Sequence, residues 1–186
     1  MSFHLKIAKN LWRNHLKPES VVVDATVGNG KDLIFLAELL LPCKKARIYG
    51  LDIQAKALQN TKKLLQSSLT IPYENNIQLR LQSHEDFPFI TSSDLFIYNL
   101  GYLPGSDKTL TTKVETTLKS LAKALTILSS KGAISLTLYP GHEEGKKEKE
   151  ALLSFCQKLC PSLYQVSHHY LMQNVSAPSL LWIQRR

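Results

Sequence analysis

Apolar positions along the chain switch repeatedly between two periods. From Phe3 to Lys17 they fall at Leu5, Ala8, Leu11, Trp12 and Leu16, the spacing of an amphipathic helix, and Pro18 breaks it. Ser20 to Ala25 (SVVVDA) is instead a short unbroken run rich in valine, which fits a strand covered on both faces. The turn Gly28-Asn29-Gly30 follows, then a helix over Asp32 to Leu41. Ala46 to Leu51 reads as the second strand, ended by Asp52, and Gln54 to Ser67 as the next helix. Ile77 to Gln82 and Asp94 to Tyr98 are the third and fourth strands. Between Thr111 and Leu128, the residues Val114, Leu118, Leu121, Leu125 and Leu128 make one apolar stripe, and Lys131-Gly132 is expected to end that helix. Ala133 to Tyr139 is a fifth strand and Glu144 to Leu159 a further helix. Tyr164 to Leu171 and Leu180 to Gln184 are two last strands, separated by a turn-prone stretch from Asn174 to Pro178.

Strand and helix in alternation predict parallel pairing with helices on both faces. No helix separates the last two strands, so one is expected to run antiparallel at the edge. The predicted architecture is a single α/β domain over residues 1–186. It is a doubly wound, mostly parallel, Rossmann-like sheet with an antiparallel edge strand and an N-terminal helix. Ligands of such sheets bind beyond the carboxyl ends of the strands. That rule singles out Asp24 to Gly30, Asp52, Ser83 to Glu85, Asn99 to Pro104 and Tyr139 to His142.

Composition adds three constraints. A chain of 186 residues buries roughly 70% of its unfolded surface, so a core forms without disulfides. Cys43, Cys156 and Cys160 are odd in number and widely split, which favours reduced, buried thiols. Cys156 and Cys160 lie one helical turn apart, but no nearby Cys or His pair completes the four ligands of a zinc site, so no metal is expected. No apolar run reaches the length of a membrane span, and Met1 to Asn10 lacks a signal core; a cytoplasmic protein is expected. A net charge of +8 favours a polyanionic partner, nucleic acid first. Lys6, Lys9, Arg13 and Lys17 share one helical face and suit phosphates. Lys146, Lys147 and Lys149 are interleaved with Glu143, Glu144, Glu148 and Glu150 and read as a solvated face.

The strand ends carry the chemistry. Gly28 and Gly30 permit a tight turn and close backbone approach, as either a plain strand-to-helix turn or a cofactor loop. A dinucleotide fingerprint needs a third glycine, where this chain has Leu33. Asp24 would repel a pyrophosphate but suits an ammonium or sulfonium. Asp52, at the end of the second strand, is placed to hold the two hydroxyls of a ribose. Ser83 and His84 follow the third strand, within reach of an adenine edge, and Ser83 with Asp86 also resembles a helix capping box. Asn99 ends the fourth strand ahead of a turn and Tyr102. A carboxamide there accepts an N–H bond from an amine while the ring packs on the substrate.

Together, DATVGNGKD, LDIQ, SHED, NLGYLPGSDK and YPGHEEGK resemble, over essentially the whole chain, the small class I methyltransferase family labelled "putative rRNA methylase". The resemblance implies S-adenosylmethionine as cofactor. It implies methylation of the amine of 5-aminomethyl-2-thiouridine at the wobble position of tRNA. Residue by residue, it implies that Asp24, Gly28, Asn29, Gly30 and Asp32 line the methionine part of the cofactor. Asp52 and Gln54 would lie at the ribose, and Ser83 and His84 at the adenine. Asn99 and Tyr102 would meet the reacting amine, with His142, Glu143 and Lys108 on the substrate side. The chain departs from the family at Pro140, where a His is expected before Gly-His. Alternative readings are a methyltransferase on another amine (in rRNA, protein or a small molecule) and a nucleoside- or RNA-binding module without chemistry. An oxidoreductase is disfavoured by Leu33 and Asp24. The exposed edge strands of so small a domain admit a homodimer.

Overall fold

A computed structural model describes residues 2–101 and 112–186. Its elements are α1 (Phe3–His15), β1 (Val21–Asp24), α2 (Lys31–Leu40), β2 (Arg47–Asp52), α3 (Ala55–Ser68), β3 (Ile77–Leu81) and β4 (Ser93–Asn99). They continue with α4 (Val114–Thr126), β5 (Leu128–Leu138), α5 (Glu143–Gln157), β6 (Tyr164–His169) and β7 (Ser179–Arg185).

Val22 and Val23 show why the first strand reads as an unbroken apolar run. Both are fully buried, but in different cores, because successive side chains of a strand point to opposite faces. Val22 packs with Ala8 and Trp12 of α1, Leu33 and Leu36 of α2 and Leu65 of α3. Val23 packs with Leu121 and Leu125 of α4 and Leu152 of α5. The helices therefore form two layers, α1–α2–α3 on one face of the sheet and α4–α5 on the other.

The sheet has seven strands in the order β3-β2-β1-β4-β5-β7-β6. The first five pair in parallel. The expected antiparallel strand is β7, which lies between β5 and β6 and runs against both, leaving β6 at the edge. The strand order reverses at β1, with β2 and β3 added on one side and β4 and β5 on the other, so the carboxyl ends of β1 and β4 open a crevice.

Several local expectations need correction. The apolar stripe of α4 stops at Leu125, since Leu128 already pairs with Ser93 and begins β5. Lys131-Gly132 consequently lies inside β5, not at a helix end. The register slips there, between the Ser93–Leu128 and Leu95–Ala133 pairs, and Lys131 takes a positive φ of 67°. No helix follows Ser83, so the capping box does not form; the Ser83 hydroxyl accepts from the Glu85 N–H, a local turn. Among the cysteines, Cys156 is buried, Cys43 half-buried and Cys160 exposed. Glu148, read as part of a solvated face, is buried and accepts from the hydroxyls of Thr112 (2.8 Å) and Thr117 (2.7 Å). Thr112 Oγ1 in turn accepts from the Gly101 N–H at 2.8 Å, and the Thr112 N–H donates to the Gly101 carbonyl at 3.2 Å. These bonds draw together the two ends of the segment 102–111.

Candidate active site

Asp24 closes β1 fully buried. Its Oδ1 accepts from the Thr26 N–H at 3.2 Å, while Oδ2 has no partner among the described residues. Burial pushes the carboxyl well above its ordinary range, and the nearby Asp32 and Asp52 push it the same way. A buried carboxyl with one orphaned oxygen is a receptor for a positive charge.

The loop that follows owes its shape to Gly28 and Gly30, at φ of 55° and 78°. A Cβ on Gly30 would stand 2.8 Å from Thr61 Oγ1, so this position is closed to other residues by conformation and by space. The loop is braced from two sides. Asp52, at the end of β2, accepts from the Gly28 N–H and the Gln54 N–H, each at 2.9 Å. From α3, Thr61 Oγ1 donates to the Gly28 carbonyl and Asn60 Nδ2 to Asn29 Oδ1, both at 3.0 Å. Asp52 thus shapes the loop, and each of its oxygens retains a second lone pair for a ribose hydroxyl.

Asn99 closes β4, next to β1. Its N–H donates to Thr26 Oγ1 at 2.7 Å, and its side-chain Nδ2 donates to Asp32 Oδ2 at 3.0 Å. That second bond fixes the orientation of the amide, since the NH₂ group must face the carboxylate. Asn99 Oδ1 then points elsewhere, buried and without a partner among the described residues. Asp32 Oδ1 lies 3.5 Å from Lys9 Nζ of α1, so the expected stripe on α1 loses one member to the site. His4 of α1 also packs edge-on against Tyr139, at the end of β5, with ring centroids 5.6 Å apart.

His84 is buried after β3, its ring set edge-on to Tyr98, and its Nε2 has no partner among the described residues. Burial holds its pKa below the usual value. Ser83 lies beside it, half-buried. The ends of β1 and β4 and the turn after β3 therefore each present an orphaned polar atom, on Asp24, Asn99 and His84. Such atoms stay unsatisfied in a fold only where something else satisfies them.

His142 begins α5, its Nδ1 accepting from the Gly145 N–H at 3.0 Å, and Glu143 is exposed in the first turn. Tyr102 and Lys108 lie outside the described residues. Sequence reasoning missed Thr26, Asn60 and Thr61 and the pairing of Lys9 with Asp32. Thr61 left a signal: it is the one polar residue in the buried row Ala57, Thr61, Leu65 of α3. Thr26 left none.

A parallel sheet extended by an antiparallel hairpin, with a glycine loop after β1 and an acid after β2, is the fold of class I methyltransferases. The family model described as "Putative rRNA methylase" matches residues 48–185, and the chain belongs to that family. A crystal structure named as a putative rRNA-methylase of Clostridium thermocellum superposes with a TM-score of 0.92 at 31% identity, covering 100% of this chain and 99% of that one. A second, a putative methyltransferase of Streptococcus mutans in complex with SAH, gives 0.87 at 29% identity, with coverage of 100% and 99%. The chain is also 29% identical to a chloroplastic tRNA (mnm(5)s(2)U34)-methyltransferase of Arabidopsis thaliana, over 97% of this chain and 69% of that protein. Family and fold together make this chain an S-adenosylmethionine-dependent methyltransferase. Among the described residues, no helix is long and apolar enough to cross a membrane.

Proposed function

We propose that the chain methylates the amine of wobble 5-aminomethyl-2-thiouridine in tRNA, giving 5-methylaminomethyl-2-thiouridine. The observation that carries this reading is Asn99 Oδ1, a buried acceptor without a partner among the described residues, on an amide whose orientation Asp32 fixes. The similarity to a tRNA (mnm(5)s(2)U34)-methyltransferase supports the choice of substrate.

The residues fit the cofactor. The orphaned Asp24 Oδ2 suits a cationic group, and the loop Gly28-Asn29-Gly30 admits close approach. In this assignment Asp24, Gly28, Asn29, Gly30 and Asp32 hold the methionine part, Asp52 and Gln54 the ribose, and Ser83 and His84 the adenine. S-adenosylmethionine supplies a methyl group on a positively charged sulfur.

The chain's own task is to receive a neutral amine. An alkyl amine resembles the lysine side chain, with a pKa of about 10.4, and only its unprotonated form has a free lone pair. Asn99 Oδ1 accepts one N–H bond and so orients the nitrogen without offering a negative charge that would favour ammonium. Lys9 offsets the charge of Asp32 behind it. Positioning of this kind contributes roughly 7–11 kcal/mol when geometry is good. Tyr102 and Lys108 stay assigned to the substrate by their motif, and His142 and Glu143 by their place after β5.

The test incubates the protein with deuterated-methyl S-adenosylmethionine and tRNA lacking the final wobble methyl, followed by nucleoside mass spectrometry. Label on 5-aminomethyl-2-thiouridine is the expected result. Cofactor binding with no label on that nucleoside would overturn the substrate.

A further inference from the structure

Charge is segregated between the two helix layers. On one face, α1 carries three cations and no acid, α2 one cation and two acids, and α3 three cations and no acid. On the other, α4 and α5 together carry five lysines against five acids. The second layer is also neutralised locally, with Lys119 on Glu85, Lys123 on Asp86 and Lys147 on Glu144. In the first layer, the only ion pair among the described residues is Lys9 with Asp32.

The cationic layer has a groove at its α1–α2 seam. It encloses about 450 Å³ and is lined by Lys6, Lys9, Asn10, Arg13 and Phe35. Lys9 Nζ stands 4.8 Å and the Arg13 guanidinium 5.2 Å from the centre of the Phe35 ring, which holds both cations over the groove. The groove adjoins the site through Lys9, which lines it and also pairs with Asp32. Lys6 and Arg13 are exposed and lie about 10 Å apart along α1 at 1.5 Å per residue; Lys17, expected on the same helix, is exposed just beyond its end, because α1 stops at His15.

We infer that this α1 face, from the Phe35 groove to Lys17, seats the phosphate backbone of the RNA strand that delivers its nucleoside to Asn99. The inference rests on the RNA substrate proposed above. Its chemistry is that of an anionic chain: charged donors spaced along a helix, a polar Asn10 among them, and no acid on α1 to oppose them. Such contacts position a nucleic acid without reading its sequence.

The test compares two double charge reversals of the full-length protein. Lys6→Glu with Arg13→Glu alters the α1 face; Lys158→Glu with Arg186→Glu changes net charge equally at exposed positions elsewhere. Circular dichroism and S-adenosylmethionine titration confirm that each variant is folded and binds cofactor. Binding of unmodified tRNA is followed by anisotropy against salt, and methyl transfer by steady-state kinetics. The α1 variant is expected to raise the tRNA KM about tenfold and to lower the salt slope by about 0.7–0.9 per lost phosphate contact, with kcat unchanged. The control is expected to move neither. Equal effects in both variants would overturn the inference. RNA binding that depends on α1, without label on the wobble nucleoside, would overturn the substrate and leave the face standing. A wild-type protein that binds no RNA would overturn both.

Discussion

Asn99 and Asp32, 67 residues apart, meet side chain to side chain at 3.0 Å. The carboxylate takes one edge of the amide and leaves the carbonyl oxygen buried, without a partner among the described residues. Asn99→Ala is expected to lower kcat by about 10²–10³-fold, the usual cost of removing one preorganised hydrogen-bonding group from a reacting centre. S-adenosylmethionine affinity should change by less than about threefold, because the role proposed for Asn99 is toward the amine. Asn99→Asp should be worse, since a second carboxylate would face Asp32 and favour an ammonium ion. Steady-state kinetics with calorimetric cofactor titration separates the two quantities. A collapse of cofactor affinity in Asn99→Ala would remove Asn99 from the substrate side.

Asp24 predicts an unusual pH dependence. Its carboxyl is held above the ordinary range by burial, then by Asp32, while the Thr26 N–H opposes the shift and Asp52 adds to it. The folded chain therefore keeps this proton to a higher pH than the unfolded chain. Its contribution to stability is complete below about pH 4 and is lost as pH rises toward the raised value. Urea unfolding between pH 4 and 8 should show the difference between wild type and Asp24→Asn changing steadily with pH. Parallel curves would refute it. Binding of the cationic cofactor should also release up to one proton in wild type and none through this position in Asp24→Asn, measured as the buffer dependence of the binding heat.

Gly30→Ala should destabilise the fold by about 2–4 kcal/mol. The left-handed backbone alone costs an L-residue roughly 1–2 kcal/mol. The new methyl would also stand 2.8 Å from Thr61 Oγ1 and displace the side chain that holds the Gly28 carbonyl. Chemical denaturation gives the number. A loss below about 0.5 kcal/mol, the range of ordinary surface substitutions, would mean that the loop is not as constrained as its geometry indicates.

The thiols should react in a fixed order. Cys160 is exposed, and hydrogen bonds from the Ser162 hydroxyl and N–H pull its pKa down. Burial pushes Cys156 up to about 11. Iodoacetamide at pH 8 should therefore label Cys160 at least about 100-fold faster than Cys156, with Cys156 reacting only on opening of the fold. Peptide mapping against time decides; comparable rates would place Cys156 in an accessible site.

The strand ends were legible because their chemistry is local. Asp24, Asp52 and Asn99 each follow an apolar run that marks where a strand stops, and topology carries those stops to one crevice. Registers and braces were not legible. Nothing in Lys131-Gly132 separates a helix stop from an irregular strand, because both use a left-handed residue. Glu148 looked solvated among lysines, since its partners Thr112 and Thr117 belong to a different helix and its approach. Lys9 looked like its neighbours on the stripe. Only packing of α1 across the sheet face toward α2 sets it against Asp32. A sequence states what each side chain can bond with, and the partner's identity waits on which elements share a layer.

The paired hydrogen bonds between Gly101 and Thr112 have a consequence for how the chain tolerates change. They tie the end of β4 to the approach of α4, and Glu148 anchors them to α5. Doubling the length of a closed loop costs only about 0.6 kcal/mol once its ends are fixed. Fixed ends make the number of residues between Gly101 and Thr112 a weak determinant of stability, while β4 and Asn99 keep their places.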